Sequence, residues 1–205
     1  RTLREAYPDA AILIATGSPV IHAFRIPNNV DYIKIPSLDR VDSERYEPRF
    51  LNDLASEVTE MRKDILKRTV LGFKPDLMIV DKRPAGVDGE LLETLEALKE
   101  RNYPTKLVLG VRDILDDPKR TRKSLQDNHA FELIERFYDQ VWIYGTREVF
   151  DHTREYEYPK NILHKTHYSG YLQRPTKANT AGGKTLRVLL TTGGGGDGGD
   201  VTSAY

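Results

Sequence analysis

The stretch that decides the fold is "DLMIVDKRPAGVDGELLETLEALKERNYPTKLVLGVRD", Asp76 to Asp113. It opens on DLMIVD, Asp76 to Asp81, an apolar run that fits a strand buried on both faces. KRPAGVDG follows as a loop, and Gly86 and Gly89 suit a tight turn there. Leu91, Leu92, Leu95 and Leu98 then share one face of a helix from Glu90 to Arg101. Asp88 is placed to cap its start and Asn102 to end it. KLVLGV is the next buried strand. Strand, helix and strand in this order make a βαβ unit, which calls for a parallel sheet.

The same alternation continues on either side. Upstream, RTLREAY reads as the last turns of a helix stopped by Pro8. AAILIAT is a short apolar strand ending at the turn Gly17 to Pro19, and VDYIKIP is a second strand closed by Pro36. Between Phe50 and Leu71 the residues Leu51, Leu54, Val58, Met61 and Ile65 predict one helical stripe, with Gly72 as C-cap and Pro75 barring continuation. Downstream, RDILDDPKR reads as a loop. A helix starting at Asp127 or Asn128 carries Phe131, Ile134 and Phe137. QVWIYG is a strand, and HKTHYSGY a short strand and turn. The expectation is an α/β domain over 1–171, a Rossmann-like parallel sheet with helices on both faces. A Pro-, Gly- and Thr-containing linker follows over 172–185, and a new strand with a glycine loop over 186–205.

Composition narrows the function. The chain has 205 residues, with Lys+Arg 31 and Asp+Glu 31, so no net field draws it to nucleic acid. It has no cysteine, which excludes disulfides, thiolate metal sites and cysteine nucleophiles. No apolar run is long enough to span a bilayer and no signal peptide is visible, so the reading is cytoplasmic, with peripheral membrane contact left open. The first residue is Arg1, and both ends read as cut from a longer protein.

Gly193, Gly194, Gly195 and Gly196 follow the apolar strand LRVLLTT. Backbone without Cβ atoms can approach a diphosphate closely and offer it N–H groups. The alternative is a plain flexible tail. Two sharper readings fail. GGKT at Gly182 to Thr185 imitates a phosphate-binding P-loop, but Ala178 stands where its first glycine is needed. GGGGDGGDV imitates a calcium-binding repeat but occurs once.

Four segments in order, VDKRPAGVDGEL, LGVRDILDD, HYSGYL and TTGGGGDGG, resemble a family of predicted glycosyltransferases with the GT-B fold of two Rossmann domains. That family is distantly similar to the bacterial transferase that adds N-acetylglucosamine to lipid-linked muramyl peptide. The resemblance implies an N-terminal acceptor domain and a C-terminal domain for a nucleotide-sugar donor, UDP-linked by analogy. It places the loop Gly193 to Gly196 near the donor diphosphate. It also implies that most of the donor domain lies outside this chain, which alone would be inactive. Family members begin with a strand and a Gly/His-containing loop that has no counterpart here, so no catalytic base is carried over from it.

Residue chemistry adds the candidates. Arg112 and Asp113 follow a strand, where ligands of open parallel sheets bind. The guanidinium suits a phosphate or sugar hydroxyl, and the carboxylate suits a hydroxyl proton. An internal ion pair or a helix cap explains them equally. Ser18, Arg83, Gly86 and Glu90 follow strands too and are candidates for holding the acceptor. Plainer roles exist for each: Ser18 as a turn residue, Arg83 as a solvated charge, Glu90 as a partner of the helix dipole. The five histidines show no metal-ligand spacing, DDPKRTRK reads as a solvated face, and Tyr156 and Tyr158 as a packed helix end. No Asp-x-Asp triplet follows a strand, so neither a metal nor any cofactor beyond the donor is implied. The expected partners are a nucleotide sugar and a hydroxyl acceptor. The competing readings are a nucleotide-sugar epimerase or hydrolase on the same fold, and a non-catalytic sugar-nucleotide-binding module.

Overall fold

A computed structural model of the chain describes residues 2–41 and 45–172. The linker over 172–185 and the glycine segment over 186–205, with the residues Gly193 to Gly196, therefore lie outside the described residues, apart from Leu172.

The fold is α/β. Its centre is a parallel sheet of four strands in the order β5 (Leu77–Asp81), β6 (Lys106–Arg112), β7 (Gln140–Tyr144) and β8 (Thr166–Tyr168). Val80 lies opposite Leu109, Val111 opposite Ile143, and Ile143 opposite Tyr168. Each crossover carries a helix, as parallel neighbours require. These are α3 (Leu92–Glu100), the consecutive helices α4 (Pro118–Asp127) and α5 (Ala130–Phe137), and the short α6 (His152–Glu155) and α7 (Lys160–Leu163). Leu107, Leu109, Val111, Val141 and Ile143 form one core with Leu91, Leu95, Leu98, Ile134, Phe137 and Ile162. The alternation of strand residues places the odd-numbered positions of β6 in that core.

The N-terminal part is built differently from the single continuous sheet expected. After α1 (Thr2–Ala6), β1 (Ile12–Thr16) and β2 (Val30–Lys34) pair in parallel as a separate ribbon. An antiparallel pair, β3 (Leu38–Arg40) with β4 (Tyr46–Pro48), follows and was not legible in the sequence. Helix α2 (Ala55–Phe73) leads from it to β5.

The helices correct several expectations. In α2 the buried side chains are Val58, Arg62 and Leu66, while Met61 is exposed; Leu51 and Leu54, also exposed, precede the helix around a 3-10 turn over Asn52–Leu54. The buried face is rotated because it contains a paired charge. Gly72 stays helical; the left-handed cap is Lys74 at φ 51°, whose N–H donates to the Val70 carbonyl at 2.9 Å. Asp88 caps nothing; it sits in a 3-10 turn and Leu91 is the N-cap of α3. Asn102 does terminate α3, at φ 49°. The DDPKR segment is the start of α4, with Asp117 as N-cap accepting from the N–H groups of Lys119 and Arg120 and Pro118 at the first helical position. Helix α5 starts later than expected, behind His129 in the left-handed conformation. Tyr156 and Tyr158 are buried, as read.

Candidate functional site

Two loops leave the carboxyl ends of the adjacent strands β5 and β6 and diverge around a cleft. The first is bent by glycine. Gly86 has φ 73° and ψ −166°, a conformation closed to residues with a Cβ. A Cβ there would also lie 2.7 Å from the Glu90 Cγ. The Gly86 N–H donates to the Arg83 carbonyl at 2.9 Å, and the Leu91 N–H to the Ala85 carbonyl at 2.9 Å, closing the loop onto the start of α3. From behind, the buried Tyr138 hydroxyl donates to the Pro84 carbonyl at 2.7 Å. Burial holds that phenol far above its usual titration range, so it remains a donor. The Arg83 guanidinium lies 5.1 Å from the centroid of the Tyr46 ring, brought by β4.

The second loop is also pinned by a buried tyrosine. The Tyr156 hydroxyl accepts from the Leu115 N–H at 3.0 Å and donates to the Asp116 carbonyl at 3.1 Å. One phenol thus satisfies both backbone polarities of an otherwise irregular turn. Asp117 then starts α4, which carries Arg120, Thr121 and Lys123 along the cleft.

The cleft measures about 670 Å³, within the usual range of small-molecule sites. Arg83 and Gly86 line it. Leu115, Leu125 and Leu133 provide apolar wall, and Arg120 and Thr121 come from the segment read as a solvated face.

The other candidates fall into two groups beside the cleft. Glu90 is buried and forms a two-pronged pair with Arg62, Nε to Oε2 at 2.6 Å and Nη2 to Oε1 at 2.9 Å. Its Oε1 also accepts from the Val87 N–H at 3.3 Å. Arg62 Nη1 donates in turn to the Pro36 carbonyl, and a Cβ on Gly17 would lie 3.3 Å from the same nitrogen. Glu90 therefore holds the loop after β5 against the ends of β1 and β2. Ser18 sits beside Gly17 in a serine turn, its Oγ accepting from the Val20 N–H at 3.4 Å.

Arg112 and Asp113 end β6 but do not line the cleft. Arg112 is exposed. Asp113 Oδ1 accepts from the Ile114 N–H at 2.9 Å, and Oδ2 from the Tyr171 hydroxyl at 2.7 Å. That bond holds the Tyr171 phenol above its usual range. Asp113 also lies over Gly145 at the end of β7, where a Cβ would come within 2.5 Å of its own. The sheet ends thus bring Asp113, Gly145 and Tyr171 together.

Behind them lies His152, fully buried among the rings of Phe150, Tyr156 and Tyr158 at centroid distances of 6.5, 4.6 and 5.3 Å. Burial pulls its imidazole down to about 4, against the opposing pull of Asp113. Among the described residues no group of His, Asp and Glu is arranged to hold a metal ion. Among them, too, no helix is long and apolar enough to cross a membrane.

Sequence reasoning missed Arg62, because hydropathy does not mark a charge whose partner lies elsewhere in the chain. It missed Arg120 and Thr121 because α4 is strongly polar; the Asp117-Pro118 helix start was the available signal. Comparison with known proteins found no matching family model, no curated relative and no matching solved structure.

Proposed function

We propose that this chain carries the acceptor-binding part of a glycosyltransferase that moves a sugar from a nucleotide-sugar donor to an acceptor hydroxyl. The observation that carries the reading is the cleft at the carboxyl ends of β5 and β6. It pairs a glycine-bent loop and Arg83 with an apolar wall, at the place where parallel sheets bind ligands. The order of the motifs supports the same reading, with the apolar run LRVLLTT and the glycine run Gly193 to Gly196 following the α/β unit in the sequence.

In this reading the acceptor body lies in the cleft and its hydroxyl reaches toward Asp113. The carboxylate, exchanging its bond to Tyr171 for one to the acceptor, takes the hydroxyl proton as the acceptor oxygen bonds to the sugar C1 and the C1–O bond to the diphosphate breaks, the nucleoside diphosphate leaving with the electron pair. Arg112, exposed beside it, steadies the negative charge of the donor phosphates. Gly86 and Arg83 position the acceptor. Glu90 acts at one remove, through its pair with Arg62. The donor diphosphate is assigned to Gly193, Gly194, Gly195 and Gly196.

The test is sugar transfer by the full-length product of the gene that carries this sequence, followed as release of nucleoside diphosphate from UDP-sugars with a panel of hydroxyl acceptors. Asp113→Asn should lower kcat by about 100-fold or more, the scale of general-base catalysis. Arg83→Ala should chiefly raise KM for the acceptor. Binding of UDP-sugar with no turnover on any acceptor would replace this reading with that of a non-catalytic module.

A further inference from the structure

We propose that the face of the four-stranded sheet turned away from the helical core binds a neutral carbohydrate, with the Trp142 ring as its platform and the Asp81 carboxylate and Tyr144 hydroxyl as its grips. The inference goes beyond the transferase reading and does not rest on it.

Strand register builds the surface. Asp81 lies opposite Gly110, Gly110 opposite Trp142, and Arg112 opposite Tyr144. Residues level with one another in a parallel sheet share a face. The other face carries Val80, Leu109, Val111, Val141 and Ile143, packed in one core with residues of α3, α5 and α7. Trp142 and Tyr144 belong to no part of that core and are half-buried, while Asp81 and Arg112 are exposed. Asp81 and Trp142 stand two strand spacings apart, about 9.6 Å, with only a glycine between them. The Tyr144 ring leans into that gap. A Cβ at position 110 would lie 2.8 Å from the ring's Cζ and collide with the hydroxyl oxygen. The phenol therefore sits level with the carboxylate and the indole. Burial and, after it, the charge of Asp81 hold the phenol above its usual range, so it remains a donor.

The polar groups of this surface are open. Among the described residues neither the Asp81 carboxylate, the Tyr144 hydroxyl nor the Arg112 guanidinium has a hydrogen bond or an ion pair. The side-chain hydroxyls that lack a partner and are sealed from solvent are those of Thr94 and Thr121; the Tyr144 hydroxyl is not one of them and reaches solvent. Trp142 Nε1 donates to Gln140 Oε1 at 2.7 Å, which fixes the indole, and no described aromatic ring or cation stacks on it.

Charge selects the class of ligand. Asp81 repels a phosphate or a carboxylate, and Arg112 beside Tyr144 repels a cation. Carboxylate, phenol and guanidinium together offer acceptors and donors to a neutral molecule with many hydroxyls. The apolar face of a sugar ring matches the indole, whose large area is the main source of contact. Strand β6 is paired on both edges, so the grips are ordered before any ligand arrives.

Trp142 is the one tryptophan of the 205 residues, so its emission reports on this surface. The experiment follows that emission while the chain is titrated with cellotriose, with maltotriose and, separately, with tetramethylammonium. A saturable blue shift is expected with at least one trisaccharide and none with tetramethylammonium. Asp81→Asn should weaken binding about tenfold, as loss of a hydrogen bond to a charged group does. Tyr144→Phe should weaken it roughly threefold to tenfold. Asp88→Asn, in the cleft, should leave it unchanged. Neither surface variant should lower Tm, because the groups removed bond to nothing in the fold. The absence of a saturable response to both trisaccharides overturns the proposal. So does a response that Asp81→Asn and Tyr144→Phe both leave at wild-type strength, since the sugar would then sit elsewhere. Saturation by tetramethylammonium alone overturns it in favour of a cation. Sugar binding here together with failed transfer by the full-length protein removes only the transferase reading. Transfer with no response of Trp142 to either trisaccharide removes only this surface.

Discussion

Strands β1 and β6 look alike as sequence and differ as structure. Both are apolar, ILIAT and KLVLGVR, and both pair in parallel. Yet β6 has five consecutive buried residues and β1 has none. The difference lies in neighbours. β6 has a strand on each edge and packs its odd-numbered side chains into the core. Among the described residues β1 has β2 on one edge and nothing on the other, and Ile14 is exposed. An apolar run therefore states what a segment needs; the topology decides how far that need is met. The two regions should differ in stability as they differ in burial.

The largest effect should come from the contact that joins them. Glu90→Leu leaves the Arg62 guanidinium buried without its carboxylate, and loss of one partner of such a pair costs about 3–5 kcal/mol. Because Arg62 also holds the Pro36 carbonyl, amide exchange should accelerate first in β1 and β2, while β6 keeps its protection. Uniform acceleration across both sheets would break the comparison. Next, Ile143→Ala, at a fully buried position of β7, should cost roughly 3 kcal/mol in urea unfolding.

His152 sharpens the contrast through pH. Its folded value of about 4 lies below the unfolded 6.5, so between these values the unfolded chain takes up a proton that the folded chain refuses. The stability it contributes is complete above about 6.5 and is lost as pH falls toward 4, roughly 3 kcal/mol when fully developed. Comparing urea midpoints at pH 7 and 4.5, His152→Leu should lose less than wild type. Equal losses would mean that the imidazole is not held neutral by the fold. The smallest effect is expected at β1, where Leu13→Ala should cost no more than about 1 kcal/mol, since little area is removed from the interior.

How far the sequence could be read follows from the same contrast. DLMIVD, KLVLGV and QVWIYG announced their strands because their central side chains, among them Val80, Leu109 and Ile143, pack into the apolar core. The separation of β1 and β2 from the larger sheet was invisible, since pairing partners are not encoded in an apolar run. The stripe of α2 was misphased because Leu51, Leu54 and Met61 face outward and Arg62 faces in. Gly86 and Arg83 were legible as cleft residues from their place after a strand. Arg120 and Thr121 were not, because a polar helix exposed on one side and lining a cleft on the other has the composition of a solvated one.

The pair of Arg62 and Glu90 also restricts how this chain can change by inheritance. Either single replacement strands a charge in the interior, so each one-step route away from the pair passes through a poorly folding intermediate. The two codons lie far apart, in α2 and at the start of the α3 segment, and cannot be exchanged by one local event. Simultaneous replacement, as Arg62→Met with Glu90→Leu, is the permitted exit, and it would restore packing while releasing the Pro36 carbonyl. Descendants of this sequence should accordingly carry both charges or neither.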